Sequence, residues 1–314
     1  MMITRRAALA SAAAIVLASS SAFAADKKYD TGASDTEIKI GNIMPYSGPA
    51  SAYGIIGKTE AAYFKKINAE GGINGRKINF VSYDDAYSPP KAVEQARKLV
   101  ESDEVLLIFN SLGTPSNSAI QKYMNAKKVP QLFVATGATK WNDPSNFPWT
   151  MGWQPSYQAE SRIYAKYLLK EKPGAKIAVL YQNDDYGKDY LKGLKDGLGA
   201  KAASMIVMEE SYETTEPTID SHIVKLKSTG ADVFMNITTP KFAAQAIRQA
   251  YLIGWKATVI VNFPSGSVGG TLAPAGLDKS VGVIVGSTNK DALDESWKSD
   301  PGVQAYRAFF DKYL

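Results

Sequence analysis

The chain has 314 residues, enough for two domains of ordinary size. At 45% hydrophobic and 21% charged it has the composition of a globular protein with ample core. Its formal charge of +5 comes from basic residues mixed with acidic ones, without the dense Lys/Arg block that suits nucleic acid. There is no cysteine, which excludes disulfides, thiolate metal sites, cysteine nucleophiles and a lipid-modified N-terminal cysteine.

Residues 1–24 read as an export leader. Arg5 and Arg6 form a positive start, residues 7–17 an apolar run, and Ala22-Phe23-Ala24 a small-x-small cleavage site. The run is too short to span a bilayer. Cleavage is expected after Ala24, leaving a linker over 25–34 and a periplasmic destination. Two of the 36 basic residues leave with the leader, so 34 face 31 acidic ones, a balance of +3. Thr4-Arg5-Arg6 comes close to a twin-arginine signal, but Ala7-Ala8 follows where bulkier residues belong, so ordinary secretion is the expected route.

From Asp35 onward one unit repeats: an apolar strand, a polar or glycine-rich loop, an amphipathic helix. Residues 38–42 read as a strand, followed by Pro45-Tyr46-Ser47-Gly48-Pro49 and a helix carrying Ile56, Tyr63 and Ile67 that stops at Gly71-Gly72. Residues 78–83 form the next strand, ending on Asp84-Asp85, and Ser88-Pro89-Pro90 opens a helix with Val93, Ala96, Leu99 and Val100 on one side. Residues 105–109 are a short unbroken apolar run, the mark of a strand buried on both faces of a parallel sheet. The loop 110–115 breaks it, with Thr114 suited to cap a helix and Pro115 to its first turn. Lys127-Lys128-Val129-Pro130 ends that helix, residues 131–134 make another strand, and Ala135-Thr136-Gly137-Ala138-Thr139 supplies a second loop of small hydroxyl residues and glycine.

Either loop by itself reads as an ordinary strand-to-helix turn. Together, at neighbouring strand ends, they present N–H groups, hydroxyls and helix N-termini to one spot that suits a carboxylate. Residues 147–155 interrupt the rhythm and read as a crossing between domains. A second set follows, with strands expected at 176–181, 205–208, 233–237, 258–261 and 281–285 and helices at 219–227 and 241–253. Its rim carries Asn183-Asp184-Asp185-Tyr186, Thr238-Thr239-Pro240 and Asn262-Phe263-Pro264. Alternation of this kind argues an α/β fold with right-handed crossovers.

Enzyme readings find little to build on. Gly57-Lys58-Thr59 is like the end of a phosphate loop, but Ala52 stands where that pattern needs glycine. The single histidine, His222, falls at a helix edge, and no Gly-x-Ser-x-Gly elbow occurs. Asp84-Asp85 and Asp184-Asp185 sit at strand ends, where carboxylates cap turns and helices, and no metal set gathers around them. No catalysis, cofactor or metal is therefore expected. Of the aromatics, Tyr46, Tyr87 and Tyr186 follow strands directly and are the tyrosines expected in a cleft, while Trp149 and Trp153 read as packing at lobe edges.

Several ordered motifs resemble the leucine/isoleucine/valine-binding family of type I periplasmic binding proteins, the receptors of ABC importers. They are Ile43-Met44-Pro45-Tyr46-Ser47-Gly48-Pro49 with Gly54, Ile67-Asn68-Ala69-Glu70-Gly71-Gly72-Ile73-Asn74-Gly75, Tyr83-Asp84-Asp85 with Pro89 and Ala92, Gly137-Ala138-Thr139, and Asp185-Tyr186-Gly187. The resemblance implies two Rossmann-like lobes closing over a ligand, with lobe one at 35–153, lobe two at 154–286 and a return to lobe one at 287–314. It places the ligand carboxylate on Ser111, Gly113, Thr114, Gly137, Ala138 and Thr139, with Tyr186 above; Tyr46, Thr239 and Phe263 complete the expected rim. The implied partners are a small carboxylate and a membrane permease, with the receptor a monomer. Two departures bear on the ligand. Asn262-Phe263-Pro264-Ser265-Gly266 carries no acid where amino-acid binders of the family place one, and residues 238–242 lack their tyrosine-rich pattern. An aromatic or branched aliphatic acid is favoured for that reason over a branched-chain amino acid; the alternative readings are a periplasmic enzyme acting on a small carboxylate and a ligand-sensing receptor without transport. Family members continue through a third crossing, so a C-terminally truncated chain is expected.

Overall fold

The computed structural model describes residues 28–314, and the leader at 1–24 lies outside them. In the first lobe β1 (Glu37–Met44), β2 (Lys77–Asp84), β3 (Leu107–Phe109), β4 (Gln131–Val134) and β5 (Thr150–Gly152) form one parallel sheet in the order β2-β1-β3-β4-β5. In the second, β6 (Ile177–Gln182), β7 (Ile206–Tyr212), β8 (Val233–Ile237), β9 (Thr258–Val261) and β10 (Ile284–Val285) repeat the plan as β7-β6-β8-β9-β10. Each sheet reverses its strand order beside its first strand. The crevice for a ligand in a sheet of this type lies at that switch point, off the carboxyl ends of the strands.

Helices connect the strands: α1 (Gly54–Ala69), α2 (Pro89–Arg97) and α3 (Thr114–Lys127) in the first lobe, then α4 (Tyr157–Glu171), α5 (Asp185–Leu198), α6 (Asp220–Ser228) and α7 (Pro240–Leu252) in the second. The last helix, α8 (Pro301–Tyr313), returns to the first lobe and meets α1 through an edge-on contact of Phe309 with Tyr63. Side-chain alternation along the strands builds a core on each face of the second sheet. Ile177, Val179, Val233 and Met235 pack with Leu168, Tyr190 and Leu194 of α4 and α5. Ala178, Leu180 and Phe234 pack on the other face with Ile223, Phe242 and Trp255. In the first lobe Ile43, Ile108, Ile120, Met124 and Leu99 do the same work.

The structure corrects the sequence reading in four places. The segment 147–155 is more than a crossing, because it contains β5, which hydrogen-bonds along β4. β7 runs on to Tyr212, past the expected end at 208, since Glu209 and Glu210 pair with Lys195 and Lys225 beside this edge strand without interrupting the ladder. β10 keeps two residues of an expected five, because Gly282 turns at φ +87° and leaves Val281 outside. Helix α3 is preceded by Gly113 at φ +100°, and Thr114 is its first helical residue; the Thr114 hydroxyl pairs with Thr136 Oγ1 at 2.5 Å.

Helix α5 does have a side-chain cap. Asp184 accepts from the amides of Tyr186 at 2.9 Å and Gly187 at 3.3 Å. Asp184→Ala is expected to cost about 1 kcal/mol, the usual worth of such a cap, read as a lower urea midpoint with an unchanged slope.

Candidate functional site

A cavity of about 540 Å³ opens between the lobes at the two switch points. The first lobe contributes Tyr53 and Ile56 near the start of α1, Tyr87 after β2, Leu112, Gly113 and Thr114 after β3, and Ala135 after β4. The second contributes Tyr157 at the start of α4, Tyr186 at the start of α5, Thr239 and Pro240 at the start of α7, and Phe263 after β9. Five of these twelve residues are aromatic, and helix N-termini enter from both sides.

Tyr87 spans the gap. It sits in the left-handed region at φ +60°, which turns its ring under the loop after β3. A Cβ at Gly113 would come within 2.6 Å of that ring, so the close approach, together with the positive φ, requires glycine there. The Tyr87 hydroxyl accepts from Gln182 of the second lobe at 3.4 Å, and among the described residues no acceptor takes its own proton. Burial raises the ionisation of Tyr53, Tyr87 and Tyr186, and it pushes Tyr157 up to about 12. All four hydroxyls therefore stay protonated, the Tyr186 proton going to the Thr238 carbonyl. Among the described residues the one charged residue lining the cavity is Asp291, exposed at its rim.

Of the positions expected from sequence, Gly113, Thr114, Tyr186, Thr239 and Phe263 line this cavity. Tyr186 donates to the Thr238 carbonyl at 3.0 Å, and Thr239 is held by the Tyr212 hydroxyl, which its amide approaches at 3.0 Å. The others lie elsewhere. Tyr46 runs under α1, its hydroxyl 2.6 Å from Ser82 Oγ. Ser111 is buried against Asn117, which in turn donates to the Ser111 and Gly113 carbonyls and so fixes the start of α3. Gly137 accepts the Tyr157 amide at 2.8 Å. Ala138 is buried behind it. Thr139 reaches across to the second lobe, where Asp189 accepts both its amide and its hydroxyl at 2.9 Å. The Gly-Ala-Thr loop thus joins the lobes beside the cavity.

Tyr53 and Tyr157 were not among the sequence candidates. Each stands at the opening of a helix, a position that carries no signal until the packing of that helix is known. The acidic pairs serve the scaffold. Asp84 accepts the amides of Tyr46, Ser47 and Ala86, which holds its carboxyl below the usual range despite some burial. Asp85 accepts the Tyr87 amide and the Ser116 hydroxyl. His222 lies between Glu210 and Glu216 at the edge of the second sheet. Among the described residues no group of His, Cys, Asp and Glu could hold a metal ion, and no helix is long and apolar enough to cross a membrane.

A second, more open depression lies on the first lobe, lined by Phe64, Phe109, Phe133, Trp153, Tyr306 and Phe309 around Glu60. Trp153 borders both hollows.

The periplasmic binding protein family matches residues 37–314. A curated relative, the Leu/Ile/Val-binding protein homolog 7 of Brucella abortus, is 27% identical over 248 residues, 73% of this chain and 59% of the relative. The Leu/Ile/Val-binding protein of Escherichia coli is 25% identical over 282 residues, 87% of this chain and 72% of that one. Among solved structures, a fatty acid ABC transporter substrate-binding protein from Thermomonospora curvata superposes with a TM-score of 0.77 at 22% identity, covering 91% of this chain and 71% of that one. A branched chain amino acid ABC transporter from Thermus thermophilus with bound valine gives 0.77 at 18% identity, covering 90% and 72%. The chain therefore spans 59% of the length of the first curated relative, and the two low-identity structures speak for the fold.

Proposed function

The chain belongs to the type I periplasmic binding proteins of the leucine/isoleucine/valine-binding family, and from that premise we propose that it captures a small monocarboxylate, aromatic or branched aliphatic, between its lobes. It would then present the closed complex to the membrane permease of an ABC importer in the periplasm. The observation that carries this reading is an aromatic cluster in a cavity whose one charged residue among those described, Asp291, stays at the rim. Tyr53, Tyr87, Tyr157, Tyr186 and Phe263 stand in its wall, and among the described residues no lysine, arginine or interior carboxylate joins them. Protonated tyrosine hydroxyls and the N-terminus of α3 suit one anionic group, and the rings suit an apolar body. A zwitterion would also bring an ammonium, and an unpaired buried charge is costly. Hinge closure would bury the ligand and form the surface offered to the permease.

The runner-up is a branched-chain amino acid, as the names of the curated relatives suggest. Asp291 favours it, since it brings a carboxylate to the cavity rim.

A thermal-shift screen on the full protein distinguishes the two. Ligand at about a hundred times its Kd stabilises by about 2.7 kcal/mol, a shift of roughly 5–10 °C for lobes of this size. Aromatic or branched aliphatic acids are expected to give it; leucine, isoleucine and valine giving it alone would establish the second reading. Calorimetry on Tyr87→Phe adds a site test. Loss of one hydrogen bond to a charged group should cost about 1.5–3 kcal/mol, a ten- to hundredfold weakening. Unchanged affinity would remove Tyr87 from the site.

A further inference from the structure

Glu160 lies in the first turn of α4, just past the crossing that leaves the first lobe, and it does not line the cavity. Its carboxylate is nonetheless the meeting point of three elements. Oε1 accepts the backbone amide of Phe263, a cavity wall residue, at 2.7 Å, and the Tyr164 hydroxyl at 2.6 Å. Oε2 accepts the Tyr190 hydroxyl from α5. The Tyr164 hydroxyl in turn accepts the amide of Gly286 at 3.0 Å, where the chain leaves β10 for its second crossing. A Cβ at Gly286 would stand 2.9 Å from that hydroxyl, so the chain is drawn tight against it. One carboxylate therefore ties the helix after the first crossing, the start of the second crossing and the cavity wall at Phe263 together.

The geometry points to Glu160 as a positioning residue that holds Phe263 against the ligand and links that wall to the second crossing. Phe263 follows β9 in a single 3-10 turn, residues Phe263–Ser265, too short to fix its ring by its own hydrogen bonds. Anchoring the Phe263 amide to a carboxylate that the Tyr164 and Tyr190 hydroxyls also share sets the ring's place in the wall. Phe263 is the aromatic wall residue from the β9 loop, so losing the anchor should weaken ligands with a ring more than aliphatic ones. Glutamine in place of Glu160 keeps one carbonyl oxygen for Phe263 and Tyr164, and its amide can donate to Tyr190, so it should substitute well. Alanine cannot.

Two experiments test this, and the first needs no ligand. Amide hydrogen exchange on the unliganded protein should show Phe263 and Gly286 exchanging at least about tenfold faster in Glu160→Ala, with the β6 and β8 amides unchanged and Glu160→Gln close to the original. Equal exchange at Phe263 and Gly286 in Glu160→Ala would overturn the assignment. The second is a double-mutant cycle with Phe263→Ala, read by calorimetry with an aromatic acid, and it rests on the proposed reading of the cavity. Glu160→Ala should weaken binding about tenfold with Phe263 present and leave affinity unchanged in the Phe263→Ala background. Equal losses in both backgrounds would overturn the positioning role while leaving the carboxylate reading intact. Failure of the unaltered protein to bind any acid would overturn that reading, and the exchange result would then decide the role of Glu160.

Discussion

Gly193→Val is expected to cost about 3 kcal/mol or more, the upper end for forcing bulk into a packed interface. Gly193 sits on α5 where it crosses α4, and a Cβ there would lie 2.5 Å from the Cα and the carbonyl oxygen of Gln158. Those are backbone atoms, which cannot swing aside as a side chain would. One turn on, Gly197 repeats the close approach, 2.6 Å from Ala165 Cβ and 3.0 Å from Arg162 Cα. The two helices can therefore separate only by moving as bodies. That would pull Leu168, Tyr190 and Leu194 from the core beneath them. Gly269→Ala is the control, because a Cβ at Gly269 meets nothing within 4 Å. Urea unfolding should show a large drop for Gly193→Val and none for the control; equal midpoints would mean that α4 and α5 do not depend on this approach.

Glu60 sets up the other large effect. It lies on α1, and its Oε2 accepts from Asn42 Nδ2 at 3.2 Å, with no ion-pair partner recorded among the described residues. Burial pushes its ionisation up to about 8 from an ordinary 4.5. The sign follows from proton counting. Between pH 4.5 and 8 the folded chain holds a proton that the unfolded chain has released, so stability falls as pH rises through that window and levels off above it. At about 1.4 kcal/mol per pH unit, the loss from pH 5 to pH 8 is about 3–4 kcal/mol. Glu60→Gln removes the ionisation and keeps the shape. It should match the unaltered protein near pH 5 and exceed it by about 3 kcal/mol at pH 8, measured by urea unfolding at each pH. Parallel stability curves for the two proteins would show that Glu60 titrates normally.

Both effects turn on proximity between segments far apart in the chain. Gly193 has meaning only beside Gln158, and Glu60 only beside Asn42. Neither relationship leaves a mark in a sequence window.

Much of the architecture does leave one. Parallel strands covered on both faces are largely apolar, so the runs at 131–134, 233–237 and 258–261 were legible to the residue despite Gln131, Asn236 and Thr258. Most strand ends were legible for the same reason, because polar and glycine residues return where the sheet stops; β1 and β7 ran past theirs. Since ligands in such sheets gather at strand ends, Gly113, Thr114, Tyr186, Thr239 and Phe263 could be picked before any fold was seen. What the chain could not declare was where each side chain points once the lobes meet. Thr139 and Ser111 sit in the right loops, yet Asp189 of the second lobe claims one and Asn117 of α3 the other. Tyr46 follows a strand end as Tyr186 does, but α1 packs over it through Gly54 and Gly57 and turns it toward Ser82. Local sequence determines which residues reach the rim, because that depends on strand length and polarity alone. Which of them face the ligand is decided by helix packing and by contact between the lobes, and both depend on residues tens of positions away.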